Sequence, residues 1–581
     1  MHRLLEPPED VKKLFQNYSQ NGTMSIDGLR KFLSEVQGQN NATEDDAQAI
    51  FDSLKHLNIF QRKELDLDAF FRYLLGDLNT PLSPSSSVQH DMTAPLAHYF
   101  MYTGHNSYLT GNQLSSESSV EPIKKALLKG VRVIELDLWR GQNNNVVVRH
   151  GRTLTGSVEL LKCLLAIKEF AFQASEYPVV ITFEDHLLAD LQAKVAEVTM
   201  VAKTFGGMLY RPGTDPLLKF PSPESLKKKV LISTKPPKKY LETQDGKPSQ
   251  KSTKSSKKGQ EDDDEDEIAE GEHLQEEYEE MKVPEYRHLI AIHAMKPKGA
   301  LGNWFSTDEK EVRRLSLSEQ KLEKATSTRG IDIIRFTQRN LLRIYPKGTR
   351  ITSSNYDPFV GWTHGAQMVA FNMQGYGKHL WIMQGMFRAN GGCGYVKKPD
   401  FLLSEQVFDP SMQLPVKKIL KVKIYSGVGW HLDFPNTHFD PYSPPDFFFK
   451  NATLDFPLLE QDHVKNVTYD NQLMDSQVAI AGVQADKAED KTNVVNNSWL
   501  PEWNEEFKFK LTVPELAVLR IKVVEQDISG NNDFGGQTCL PISELRTGIR
   551  AVPLHNRRGE KYKNTELLIK FDLLDPEECS D

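Results

Sequence analysis

The sequence predicts a multidomain α/β protein: a (β/α)8 barrel assembled from two stretches of chain, with a helical lobe before it and an antiparallel β-sandwich after it. Three observations carry that prediction. Up to Leu78 apolar residues recur three and four apart, then continuous Val/Ile runs alternate with amphipathic stretches, and beyond Leu420 short alternating runs are separated by turn residues.

Composition narrows the function before any motif is read. At 581 residues, 39% hydrophobic and 26% charged, the chain has room for several globular domains. A formal charge of -8 argues against a basic surface that coats nucleic acid. Cys163, Cys393, Cys539 and Cys579 form no CxxC pair, so neither a zinc ribbon nor a disulfide framework is indicated, and a reducing compartment fits. The opening "MHRLLEPPEDVKKLF" holds charges and prolines where a signal peptide has an apolar core, and no apolar run approaches the ~18 residues of a membrane span. The expectation is a cytoplasmic protein, free or peripherally attached to a membrane.

The first module, residues 1–80, contains "DVKKLFQNY", "IDGLRKFLSEV", "DDAQAIFDSL" and "LDAFFRYLLG", four helical patterns. Asn17, Ser19, Asn21 and Gly22 occupy positions 1, 3, 5 and 6 of an EF-hand-like loop, but position 12 is Gly28 in place of the bidentate glutamate. The lobe therefore reads as a structural helix pair and not as a calcium site. "NTPLSPSSS" is a Pro/Ser linker.

The barrel strands are expected in "VRVIELDLW", "NVVVRHG", "YPVVITFEDH" and "KKVLISTKPP", separated by helices such as "EPIKKALLKG" and "VELLKCLLAIKEFAF". The second stretch continues with "HLIAIHAM", "RNLLRIYPKG", "AQMVAFNMQG" and "LWIMQGMF", enough to close a barrel of the TIM type. Between the stretches lies a basic, serine-rich run followed by the acidic "EDDDEDEIAEGEHLQEEYEE", which cannot bury enough apolar surface to fold alone. Its negative charge is suited to covering a catalytic face or holding it off an anionic membrane. The last segment carries Asp440, Asp446, Glu525, Asp527 and Asp533 in its loops, oxygen ligands suited to calcium if they meet at one end of a sandwich and ordinary surface carboxylates if they do not.

The active face of such a barrel lies at the carboxyl ends of its strands. There the sequence offers His105 and Asn106, Glu135 and Asp137, His150, and Glu184. Glu135 and Asp137 are two apart on a strand and point to the same side. With Glu184 and the Asn106 amide oxygen they make an all-oxygen metal set, right for calcium or magnesium and wrong for zinc. Three buried carboxylates without a cation would repel one another, so a metal resolves the site and leaves both imidazoles for acid/base phosphoryl transfer.

The stretches "GHNSYL", "GVRVIELDLW", "VVVRHGRTLTG", "YPVVITFEDH", "RIYPKGTRITSSNYDPFVGWTHGAQMVAFNMQG" and "NGGCGYVKKPDFL" resemble the X and Y halves of eukaryotic phosphoinositide-specific phospholipase C. The layout resembles the plant members, with no pleckstrin-type domain. It implies an EF-hand-like lobe over 1–80, the X half over 92–237, a disordered linker over 238–284, the Y half over 285–403 and a C2 domain over 418–575. The resemblance further implies that His105 stabilises the phosphoryl transition state, that His150 is the general acid, and that Asn106, Glu135, Asp137 and Glu184 hold catalytic Ca2+. Glu135 is also implied as the base for the inositol 2-hydroxyl. Head-group contacts are implied for Lys235, Ser316, Arg343 and Tyr345.

Two departures stand out. Ser233 replaces a lysine that animal members place two residues before Lys235, which removes a cation from the 4/5-phosphate site. Residues 451–476 interrupt the expected run of the C2 domain, as a loop excursion or a retained intron-encoded stretch. The expected protein is a monomer that hydrolyses phosphatidylinositol 4,5-bisphosphate, or phosphoinositides more broadly, in a calcium-dependent reaction. It docks reversibly on the anionic plasma membrane through its C2 domain and binds no nucleic acid. The alternatives are a silent calcium-dependent lipid-binding scaffold and a metal-dependent glycerophosphodiesterase on the same barrel.

Overall fold

The computed structural model describes residues 6–54, 64–83, 87–196, 200–213, 216–235, 284–295, 301–306, 311–406, 408–409, 412, 414–435, 438–439, 445, 447–448, 478–525 and 533–579. The basic and acidic linker and the 451–476 stretch lie outside them.

Four helices, α1 (Glu9–Tyr18), α2 (Ile26–Glu35), α3 (Glu44–Leu54) and α4 (Leu67–Leu74), build the first lobe. Their apolar faces meet in a core that includes Phe15, Leu29, Phe32, Phe51 and Phe70. Ser25 caps α2 by accepting from the Gly28 N–H, and Asp66 caps α4 through the Ala69 N–H. Between these helices Met24 and Leu65 form an antiparallel bridge. A Cβ on Gly28 would lie 2.4 Å from the Tyr18 carbonyl oxygen, so no side chain fits at loop position 12 without moving backbone. Packing, as well as ligand chemistry, thus speaks against a calcium loop here.

Eight parallel strands close the barrel: β1 (Thr103–Gly104), β2 (Val133–Arg140), β3 (Val179–Asp185), β4 (Val230–Thr234), β5 (Ile290–Met295), β6 (Arg314–Ser318), β7 (Leu341–Tyr345) and β8 (Met368–Phe371). Closure rests on β1, where Thr103 pairs with Val133 on one side and with Ala370 on the other. Two expected runs belong elsewhere. Val146–Val148 of "NVVVRHG" pairs antiparallel with the end of β2 and makes a hairpin outside the barrel. "LWIMQGMF" lies almost wholly in helix α5 (Lys378–Met386), which packs so closely on the C-terminal sheet that a Cβ on Gly385 would meet the Cys539 Cβ at 2.4 Å. A short apolar run buried on all sides carries no period, and length alone does not separate helix from strand. The strands in their place are β1, only two residues long, and β6, whose "RLSLS" is too brief to read as a continuous run.

Strand alternation sorts the barrel interior into layers. Val133, Val180, Leu231, Val312, Leu341 and Met368 form an apolar floor. Two residues further along, the same faces carry Glu135, Thr182, Ser233, Arg314 and Arg343, and two further again Asp137, Glu184, Lys235, Ser316 and Tyr345 at the mouth.

Among the described residues the C-terminal domain shows a nine-stranded antiparallel sheet folded over a core that includes Val422, Trp430, Phe507, Ile521 and Phe571. A buried polar knot joins it to the helical lobe: Gln37 donates to Ile549 O at 2.9 Å and accepts from Ile549 N at 2.6 Å, while Arg550 donates to Asn79 Oδ1 at 2.9 Å. Every partner in this knot is a fixed group, so lobe and sheet are held in one orientation.

Gly28→Glu is expected to destabilise the protein by about 1–3 kcal/mol in urea unfolding and to add no calcium-binding heat in calorimetry. An unchanged midpoint would overturn the packing argument.

Candidate active site

Glu135 and Asp137 project from β2 into the barrel mouth, and Glu184 stands beside them on β3, where Asp137 and Glu184 are register partners. One carboxylate oxygen from each lies within 4.8 Å of the others, so the predicted trio does converge. Glu135 accepts from Arg343 Nη2 and, at 3.2 Å, from the Asn106 backbone N–H. Asp137 accepts from the Tyr108 hydroxyl at 2.7 Å through one oxygen, while the other, Oδ1, is buried with no protein partner. Burial and the charges of Glu184 and Glu135 push the Asp137 carboxyl well above the usual range. Glu184 is the outermost of the three, 3.3 Å from His186, whose ring stacks on Trp139 at 4.1 Å.

His105 and Asn106 follow β1 directly. Asn106 adopts φ 44°, a left-handed conformation that asparagine tolerates, and this turn brings its backbone N–H onto Glu135 while its side chain stays buried. His105 Nδ1 sits 3.0 Å from Asn372 Oδ1, and its Nε2 lies 3.8 Å from Glu135. Burial holds the His105 imidazole below its ordinary value, so the ring is neutral near pH 7. His150 lies beyond the hairpin strand Val146–Val148, and its Nδ1 donates to the Gln113 carbonyl at 2.7 Å, which leaves Nε2 as the proton-exchanging atom. Sequence reasoning gave His150 a barrel strand of its own; the hairpin folds it over the mouth instead.

Of the implied head-group residues, Arg343 is buried in the interior and bound to Glu135, with its guanidinium 5.5 Å from the centre of the Tyr345 ring. Ser316 is its register partner on β6. Lys235 is exposed just past the end of β4, and Ser233 is buried, its hydroxyl donating to Ile292 O at 3.2 Å. In the C-terminal sheet Glu525 and Asp533 pair where two adjacent inner strands end and begin, and Glu525 also faces Phe447. Asp440, Asp446 and Asp527 lie outside the described residues.

Sequence reasoning missed the residues that hold the site still. Gln113 accepts from Asn106 Nδ2 at 3.0 Å, donates to Asn372 Oδ1 at 3.0 Å and to Ser353 Oγ at 2.9 Å, and offers its own carbonyl to His150. One residue thus holds Asn106 directly through its side chain, His105 indirectly through Asn372, and His150 through its backbone carbonyl. Asn372, directly after β8, was detectable by the rule that found the others, a polar residue at a strand's carboxyl end. Nothing in the sequence marks Gln113.

The arrangement fits a hard divalent cation. A buried orphan oxygen on Asp137 and two further carboxylates within reach form an oxygen donor set suited to calcium or magnesium.

Comparison with known proteins agrees with this geometry. Residues 92–236 match the model of the phosphatidylinositol-specific phospholipase C X domain, 289–401 its Y domain, 454–557 the C2 domain and 1–80 the phosphoinositide-specific phospholipase C efhand-like region. Phosphoinositide phospholipase C 3 of Arabidopsis thaliana is 53% identical over 98% of this chain and 96% of its own length. The human 1-phosphatidylinositol 4,5-bisphosphate phosphodiesterase delta-1 is 30% identical over 99% of this chain and 73% of its own. The crystal structure of PLC21 from L. pealei superposes with a TM-score of 0.73 at 26% identity, covering 99% of this chain and 69% of that one. On these grounds the chain belongs to the phosphoinositide-specific phospholipase C family of enzymes.

Proposed function

We propose that the protein hydrolyses phosphatidylinositol 4,5-bisphosphate, and phosphoinositides more broadly, to diacylglycerol and inositol phosphate in a calcium-dependent reaction at the cytoplasmic face of the plasma membrane. The observation that carries this reading is the convergence of three carboxylates and two imidazoles at one barrel mouth. Asn106, Glu135, Asp137 and Glu184 would hold Ca2+, which supplies charge stabilisation at the phosphoryl group and acidifies the attacking hydroxyl.

Glu135 takes the proton of the inositol 2-hydroxyl as that oxygen attacks the 1-phosphodiester. The bond from phosphorus to the diacylglycerol oxygen breaks, and His150 Nε2 gives that oxygen its proton. His105, fixed through its Nδ1–H on Asn372 Oδ1, donates to the phosphoryl oxygens from Nε2 as the imidazolium, the form that an incoming phosphoryl anion favours. Water then opens the cyclic phosphate with the proton transfers reversed. Lys235, Ser316, Arg343 and Tyr345 are assigned to the head group. Arg343 reaches it only by sharing its guanidinium with Glu135, and its buried, unpartnered Nε is the spare donor. Loss of the lysine at Ser233 favours broader acceptance of less phosphorylated lipid.

Membrane docking is assigned to the C-terminal domain, with Asp440, Asp446, Glu525, Asp527 and Asp533 as calcium ligands. No helix among the described residues is long and apolar enough to cross a membrane. At the barrel mouth Leu154 is 84% exposed and Leu114 is 48% exposed, the Leu154 N–H bonds to Leu114 O, and Ile351 O accepts from Gln113 N–H. Apolar side chains held outward beside the reacting groups support chemistry performed against a lipid surface.

The deciding assay is release of inositol phosphate from vesicles containing phosphatidylinositol 4,5-bisphosphate across a calcium titration. Calcium-dependent release that disappears in His105→Gln is the expected result. Calcium-dependent vesicle binding without release would instead favour a silent lipid-binding scaffold. Gln113→Leu is expected to lower kcat about 10–100-fold with the circular dichroism spectrum unchanged, because it removes the side-chain bonds that orient Asn106 and, through Asn372, His105, while the backbone bond to His150 stays. Wild-type turnover would rule out that positioning role. Leu154→Asp is expected to slow cleavage in vesicles about tenfold or more while sparing a soluble short-chain substrate; equal losses on both would contradict interfacial seating.

A further inference from the structure

Arg314 lies in the middle layer of the barrel, 4% exposed, on the inward face of β6 two residues above the apolar Val312. Its Nη1 crosses the interior to Thr182 Oγ1 at 3.2 Å, and its Nε is buried without a partner. Other buried arginines in this protein show what a structural role looks like. The Arg132 guanidinium is enclosed by carbonyls, with bonds of 2.6 Å to Ala171 O and 3.1 Å to Leu127 O, and Arg550 is satisfied in the knot beside Gln37 and Asn79. Arg314 has only a hydroxyl. A buried guanidinium held so sparsely costs free energy unless fixed negative charge lies close by.

That charge is placed by register. Thr182 is the β3 partner of Glu135 on β2, and Glu184 follows Thr182 by two on the same face. A guanidinium seated on Thr182 therefore lies in the layer of Glu135 and one layer beneath Glu184. The cluster of Glu135, Asp137 and Glu184 is faced from inside the barrel by Arg343, paired to Glu135, and by Arg314, paired to none of them. Burial and the neighbouring Arg343 charge draw the Arg314 guanidinium down to about 9, still protonated at neutral pH, while Glu135 and Glu184 oppose that shift.

We propose that Arg314 is a built-in countercharge for the carboxylate cluster, holding the acidic site together without a cation and lowering its affinity for a divalent cation. The inference rests on the reading that Glu135, Asp137 and Glu184 bind calcium. A fixed positive charge under the site competes with the entering ion, so occupancy depends on a higher calcium concentration or on the added negative charge of bound substrate. Arg314 acts through the carboxylates, as a positioning residue.

The test is calcium calorimetry on the full chain, with Asp137→Asn used to identify which binding event belongs to the barrel. Arg314→Met removes the charge and is expected to tighten the Asp137-dependent event about tenfold or more. Arg314→Lys keeps the charge and is expected to stay within about threefold of wild type. Unchanged affinity in Arg314→Met, weaker binding in it, or equal shifts in both variants would overturn the countercharge. Absence of any Asp137-dependent event in wild type would instead overturn the cation reading itself, and the countercharge with it. Because the readout is binding and not turnover, loss of catalysis by misplacement of substrate cannot imitate the expected result.

Discussion

The ion pair between Glu135 and Arg343 is the constraint on which the site is built. Its members come from opposite halves of the barrel and meet in the interior, where neither finds water. Removing one partner of such a pair typically costs about 3–5 kcal/mol, because a buried charge is left alone. The pair therefore sets how the halves must register despite the long segment between them. β1 completes that register at the other seam by bonding β2 from the first half and β8 from the second. With both seams fixed, the mouth has a single geometry, and His105 and Asn106 emerge from β1 already facing the carboxylates.

Around this pair the polar groups are arranged by one economy, that each side chain fixes another's orientation. Asn372 Oδ1 receives both His105 Nδ1 and Gln113 Nε2, Gln113 Oε1 receives Asn106, and the Gln113 carbonyl receives His150. Two imidazoles with Nδ1 engaged present Nε2 to the same space, which is what proton donation and phosphoryl contact from two directions require. The network is polar and nearly closed, so the atoms left unsatisfied are informative. Three of them, Asp137 Oδ1, Arg343 Nε and Arg314 Nε, lie in the barrel's polar layers. A cation, an anionic head group and nearby carboxylates are the respective complements to these groups.

The domain order and six of the eight barrel strands were legible because each is a sustained pattern: helical spacing in the lobe, Val/Ile runs such as "VVITFED", alternation in the sheet. The carboxylates were legible for a related reason, since a charged residue inside an apolar run has few bland explanations. β1 was not, because two residues have no period, and its identity comes from pairing with strands far along the chain. "LWIMQGMF" misled because a helix buried between barrel and sheet has no polar face to reveal its turn. Gln113 and Arg314 were invisible for opposite reasons. Glutamine in a polar loop looks like solvent-facing chain, while "VRRLSL" reads as an exposed basic dipeptide until strand alternation sends Arg314 inward.

The position of the long insertion follows from the same geometry. The chain leaves β4 at Thr234, on the mouth side, and returns through the short helix Pro284–Leu289 into β5. Loops after barrel strands carry function and tolerate added length, because loop-closure entropy grows only with the logarithm of length once the ends are fixed. Register between β4 and β5 fixes those ends, with Thr234 paired to His293. A sequence of Lys and Ser followed by a run of Asp and Glu can thus be inserted between halves without loosening the site. The barrel's closure therefore rests on a seam held by pairing and not on the length of the chain that crosses it.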